Sequence, residues 1–127
     1  MSAGVQILVV EDNEKNMKLF RDVLHASGYR TLEAATGERA VELVFEHRPD
    51  LVLMDIQLPD IGGVEALSRL RADARTASVP VVALTAQAME GDRERFLAAG
   101  FDGYLSKPVN ITDLIATVKR YCEGANR

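Results

Sequence analysis

At 127 residues, with 47% hydrophobic and 27% charged side chains, the chain has the size and make-up of one folded globular domain, which excludes a disordered or fibrous protein. Its 19 acidic and 15 basic residues (net charge −4) are interspersed and leave no basic footprint for nucleic acid. No apolar run approaches the ~20 residues of a membrane span, the N-terminus lacks the basic start of a signal peptide, and the single Cys122 leaves no internal disulfide and suits a reducing cytoplasm.

The first predicted strand is VQILVV (5–10), which runs into Glu11 and Asp12. Asn13 stands where a helix N-cap is wanted, and Met17, Phe20 and Leu24 then recur with helical period. Gly28 is placed as the left-handed stop of that helix. RTLEA (30–34) is the second strand; Thr36 caps a second helix whose apolar residues are Ala40, Val41, Val44 and Phe45. LVLM (51–54), wholly apolar, is the third strand and ends on Asp55, and Val64, Leu67 and Leu70 mark the third helix. VPVVAL (79–84) is the fourth strand, followed by Thr85 and the small Ala86. A charge-rich, weakly amphipathic helix spans roughly Met89 to Ala99 and stops at Gly100. DGYL (102–105) is the fifth strand and leads to Ser106, Lys107 and Pro108. Asn110 then caps a last helix with Ile111, Leu114, Ile115, Val118 and Cys122 on its apolar face.

Five strands alternating with five helices, without linker or repeat, predict one α/β domain over 1–127 (core about 5–122) built on a doubly wound parallel sheet. The first, third and fourth strands are almost wholly apolar, as interior strands should be, whereas Arg30, Thr31, Glu33 and Asp102 suit edges. That distribution is compatible with the order 2-1-3-4-5, in which ligands bind at the carboxyl ends of the strands near the switch point.

Glu11, Asp12, Asp55, Thr85 and Lys107 all follow the carboxyl ends of strands. Singly, each has a plain reading: a turn-forming Asp, a solvated acidic pair, a helix-starting Thr, a surface Lys. Together they converge on one edge. Three adjacent carboxylates repel one another and ask for a cation, and an all-oxygen set suits Mg²⁺ better than zinc. A carboxylate beside such a cation and an ammonium can attack phosphorus, with Thr85 hydrogen-bonding the transferred group.

The segments ILVVEDN, LVLMDIQLPDIGG, VPVVALTA and DGYLSKP resemble, in order and spacing, the motifs of bacterial two-component response-regulator receiver domains, over residues about 5–122. EDNEKNMKLFRDVLHASGY is similar in particular to single-domain receivers of cell-cycle and division control. The resemblance implies a flavodoxin-like receiver fold with Asp55 as phosphoacceptor. It implies that Asp12 binds Mg²⁺ directly, that Glu11 supports it through water, and that Gln57 offers its backbone carbonyl. Lys107 would pair with the phosphoryl group through a cis bond to Pro108. Thr85, followed by Ala86, would be the switch hydroxyl and Tyr104 the switch aromatic. Gln57 and Gln87 fall two positions past the acceptor and the switch Thr, where the family tunes phosphoryl lifetime.

The implied role is a stand-alone cytoplasmic phosphoacceptor, a signalling protein and not a turnover enzyme, which assists its own phosphorylation and dephosphorylation. It would be charged by a histidine kinase or histidine phosphotransferase. Downstream protein effectors, other kinases among them, would read the fourth helix, fifth strand and fifth helix. The resemblance further implies a monomer or weak dimer with no nucleic-acid or membrane partner. A haloacid-dehalogenase-type phosphohydrolase would want a second Asp at position 57, where Gln57 stands, and a cap. Neither a P-loop nor G-x-G-x-x-G follows the first strand, which disfavours a nucleotide-binding module. The intact acid, Thr and Lys set argues against a receiver that only docks. His25 and His47 read as surface residues, Cys122 as a packed thiol, Met17, Met54 and Met89 as core or near-core, and Tyr29, Tyr121 and Phe101 as packing aromatics.

Overall fold

The computed structural model describes residues 4–86 and 92–122. Among these described residues ten elements alternate: β1 (Gln6–Val10), α1 (Glu14–Ala26), β2 (Arg30–Ala34), α2 (Gly37–His47), β3 (Leu51–Asp55), α3 (Gly62–Arg71), β4 (Val81–Thr85), α4 (Asp92–Ala99), β5 (Gly103–Ser106) and α5 (Ile111–Cys122). All strand pairs are parallel and the order is β2-β1-β3-β4-β5. β3 runs one residue further than its apolar stretch, so Asp55 is the strand's own last residue; Thr85 ends β4 in the same way. Register sets Asp55 opposite Leu84 and Thr85 opposite Ser106.

Alternate residues of the interior strands supply two cores. Leu8, Val10, Val52, Met54, Val81 and Ala83 face one side with Leu43, Leu67, Leu70 and Phe96. Ile7, Val9, Leu51, Leu53, Val82 and Leu84 face the other with Met17, Phe20, Leu24, Leu114 and Val118. Burying a side chain of this kind contributes roughly 1.5–3 kcal/mol, so packing on the sheet, more than propensity, holds the helices in place. Asn13, Thr36 and Asn110 cap as expected, accepting from the N–H groups of Asn16 (3.0 Å), Arg39 (3.1 Å) and Thr112 (2.8 Å). Gly28 and Gly100 adopt φ of 90° and 112°, the left-handed region that a helix stop needs.

Two expectations are corrected. Val64 and Ile111 are 47% and 50% exposed, because each stands at the first turn of its helix, outside the packed stripe of Ala66, Leu67 and Leu70 or of Leu114, Val118 and Cys122. Asp102 is exposed beside the edge strand β5, as expected, and its Oδ2 accepts from Val81 N (2.8 Å) and Arg71 Nη2 (2.9 Å). Tyr121 packs half-buried and also donates its hydroxyl to Asp102 O at 2.7 Å. His25 and His47 are exposed, whereas Cys122, Tyr29, Phe101, Met17 and Met54 are buried. Gln87 and Met89 lie outside the described residues.

Candidate acidic site at the strand ends

The carboxyl ends of β1, β3, β4 and β5 converge as the topology requires. Glu11, immediately after β1, and Asp55 are buried at 2% and 5% exposure, while Asp12 faces solvent. One carboxylate oxygen from each of the three lies within 4.8 Å of the other two. Lys107 Nζ reaches into this trio from beyond β5, 2.7 Å from Asp55 Oδ2 and 2.6 Å from Glu11 Oε1. The first contact is a hydrogen bond and the second a close ion pair, so one ammonium bridges the two buried carboxylates.

Backbone donors meet the second oxygen of Asp55 and of Glu11. Gln57 N donates to Asp55 Oδ1 at 2.9 Å, and Asn13 N donates to Glu11 Oε2 at 3.1 Å. Each is a bond from a residue to the side chain two positions earlier, the local loop closure that acidic residues favour. Burial pushes the Glu11 carboxyl above its ordinary range, and Asp55 adds to the shift; the Lys107 ammonium and the Asn13 N–H oppose it. Burial works against the Lys107 charge too, but the Asp55 and Glu11 carboxylates outweigh it and raise the ammonium's pKa.

Lys107 is held from both sides. Its N–H donates to Thr85 O at 2.7 Å, and its bond to Pro108 is cis. Thr85 is buried and Ala86, next to it, is exposed at the rim. Tyr104, half-buried on β5, lies further back, its ring 6.1 Å from that of Phe96 on α4. The structure thus brings Glu11, Asp12, Asp55 and Lys107 together with the Gln57 N–H, while Thr85 ends the strand beside Asp55 and Tyr104 lines the α4 side of β5. An all-oxygen donor set of three carboxylates fits a hard divalent cation, so the trio can hold a metal.

The loop after Asp55 contains residues whose roles the linear pattern hid. Gly63 N donates to Ile56 O at 3.0 Å, and a Cβ on Gly63 would lie 2.4 Å from Asp55 O. Only glycine lets α3 sit that close to the acidic strand end. Asp60 accepts from Gly37 N (2.8 Å) and Glu38 N (2.9 Å) at the start of α2. The helix-start pattern around Thr36 announced orphan N–H groups there, but not which side chain would meet them.

Residues 7–119 match the family described as the response regulator receiver domain. The polar-differentiation response regulator DivK of Brucella anthropi is 50% identical over 119 residues, covering 94% of this chain and 97% of that protein. Its counterpart in Brucella ovis is 49% identical over the same length and coverage. Among solved structures, the receiver domain of a sensor histidine kinase from Pseudomonas aeruginosa, with a magnesium ion coordinated in its active site cleft, superposes with a TM-score of 0.87 at 40% identity, over 95% of this chain and 99% of that one. The Vibrio cholerae chemotaxis protein CheY4 superposes at 0.86 with 26% identity, over 94% of this chain and 99% of that one.

Proposed function

The chain belongs to the response regulator receiver family, and on that premise we propose that Asp55 accepts a phosphoryl group from a phosphohistidine of a histidine kinase or histidine phosphotransferase. A carboxylate oxygen of Asp55 attacks phosphorus, the P–N bond to the imidazole breaks, and the donor histidine leaves with a proton taken from solvent. The product is an aspartyl phosphate. The observation that carries this reading is the hold on Asp55: one oxygen on the Gln57 N–H, the other on Lys107, beside two further carboxylates.

Asp12, Asp55 and the Gln57 carbonyl, supported by Glu11, would hold Mg²⁺, which when bound supplies charge neutralisation for the transferred group. Lys107 neutralises a second phosphoryl oxygen, and the Thr85 hydroxyl donates to another across the small Ala86. The protein turns over no substrate of its own; it takes up one phosphoryl group and loses it by hydrolysis.

Engagement of Thr85 by the new oxygens biases a two-state equilibrium in which Tyr104 turns inward, altering the surface of α4, β5 and α5 that protein effectors read. The half-buried Tyr104, packed on Phe96, supports this reading. The likeness to polar-differentiation regulators supports a place in cell-cycle and division control, with other kinases among the effectors.

Incubation with Mg²⁺ and acetyl phosphate, read by intact mass, is expected to add one phosphoryl group to the wild type and none to Asp55→Asn. An unmodified wild type overturns the proposal. Failure of the gene to restore division in a strain lacking its own DivK overturns the cell-cycle assignment alone.

A further inference from the structure

The N-terminus of α2 is closed by two side chains. Thr36 Oγ1 takes the N–H of Arg39 at 3.1 Å, the ordinary cap. The N–H groups of Gly37 and Glu38 point instead at a carboxylate 23 and 22 residues away, one oxygen each, Asp60 Oδ1 at 2.8 Å and Oδ2 at 2.9 Å. A carboxylate at the positive end of an eleven-residue helix is favourable in itself, and these bonds are of the short, charge-assisted kind. The approach is built in: a Cβ on Gly37 would come 2.6 Å from Ile61 Cγ1.

Asp60 belongs to the loop that joins the acceptor strand β3 to α3. At its near end that loop is tied to Asp55 by the Gln57 N–H, and at its far end to Ile56 O by the Gly63 N–H. Between these ties, Asp60 is its fastening to a neighbouring element. Gln57, three positions before Asp60, is both the donor to Asp55 Oδ1 and the carbonyl expected to face the cation.

We propose that Asp60 is a positioning residue for phosphoryl acceptance: clasped to the start of α2, it holds the loop so that Gln57 presents its N–H to Asp55 and its carbonyl to the metal. The inference rests on the acceptor reading above. Asp60 touches neither phosphoryl group nor cation; it acts through Gln57. The acceptor site is thereby braced from α2, a helix that contributes no group to it.

The test compares three variants of the whole chain. Asp60→Ala and Thr36→Ala each remove an acceptor from the same end of α2, so both lower thermal stability. Only Asp60→Ala should weaken Mg²⁺ binding and slow phosphorylation by acetyl phosphate, by about tenfold, the usual effect of losing a group that orients a metal ligand. Thr36→Ala should keep the wild-type values, and Asp60→Asn, which retains one acceptor oxygen, should fall between. In the metal-free protein the Gln57 amide proton should shift and exchange faster in Asp60→Ala and Asp60→Asn, and stay put in Thr36→Ala. Wild-type Mg²⁺ affinity and rate in Asp60→Ala, or an equal loss in Thr36→Ala, overturns the proposal. If Asp60→Ala does not fold, Asp60→Asn decides by the same readouts. A wild type that takes no phosphoryl group overturns the acceptor reading, while an unshifted Gln57 amide in the Asp60 variants independently overturns the clasp.

Discussion

Arg71 Nη2 lies 2.9 Å from Asp102 Oδ2, and the rest of the same guanidinium is spread over three carbonyls: Gly100 O (3.0 and 3.1 Å), Ala77 O (3.0 Å) and Val79 O (2.7 Å). The end of α3 is thus tied to the segment before β4 and to the turn between α4 and β5. Asp102 passes the tie on, through Val81 N on its carboxylate and the Tyr121 hydroxyl on its carbonyl. Arg71→Lys keeps the charge but cannot reproduce the fork. The expected loss is about 2–3 kcal/mol, since several bonds to a charged group go at once. Urea unfolding of the two proteins checks it, and an unchanged midpoint contradicts the role.

Mg²⁺ should stabilise the fold. A ligand bound only by the native state adds about 2.7 kcal/mol at a hundredfold excess over its Kd. Thermal unfolding should therefore shift upward with added Mg²⁺ and return with chelator, and the shift should shrink in Asp12→Asn, which removes the exposed carboxylate of the trio. An Asp12→Asn shift equal to wild type contradicts the assignment of Asp12.

Lys107 separates two buried carboxylates, at 2.6 and 2.7 Å. Lys107→Ala leaves Glu11 and Asp55 facing each other without a cation, and the metal-free protein should lose about 1.5–3 kcal/mol. Saturating Mg²⁺ should recover more stability in this variant than in wild type, because cation and ammonium answer the same repulsion. Equal recovery in both proteins contradicts the shared role.

The Arg75 guanidinium hydrogen-bonded to Asp73, helped by the Arg75 N–H, holds the Asp73 carboxyl at about 2, against 3.8 when unpaired. The folded pKa is the lower one, so the unfolded chain binds more protons between these values. Stability from this pair is therefore present above 3.8 and lost as pH falls toward 2. Asp73→Asn should flatten the acid limb of the stability profile in that window, modestly, because the pair is exposed and screened by salt. Chemical unfolding across that window in both proteins is the measurement.

Much of the architecture was legible because it rests on local signals. Apolar runs of strand length, glycine stops and capping residues report on their own neighbourhoods, and a parallel sheet then carries Glu11, Asp55, Thr85 and Lys107 to one edge by topology alone. What stayed hidden depends on contacts between distant segments. Nothing near Asp60 in the chain announces Gly37, and nothing near Arg71 announces Gly100 or Asp102, because such bonds exist only once the layers have docked. Val64 shows the opposite failure: its helical spacing was right, but its place at the first turn of α3 left it in water.

Gly63 has a consequence for anyone who would rebuild this site. Its Cβ position is occupied by the carbonyl oxygen of Asp55 itself, so α3 rests directly on the main chain of the acidic residue. Moving the acceptor one place along β3 would leave that main-chain contact in place but turn the new side chain to the opposite face of the sheet, away from Glu11, Asp12 and Lys107. Altered chemistry is therefore to be sought by exchanging the side chain at position 55 or the groups around it, while the main chain beneath it is closed to redesign.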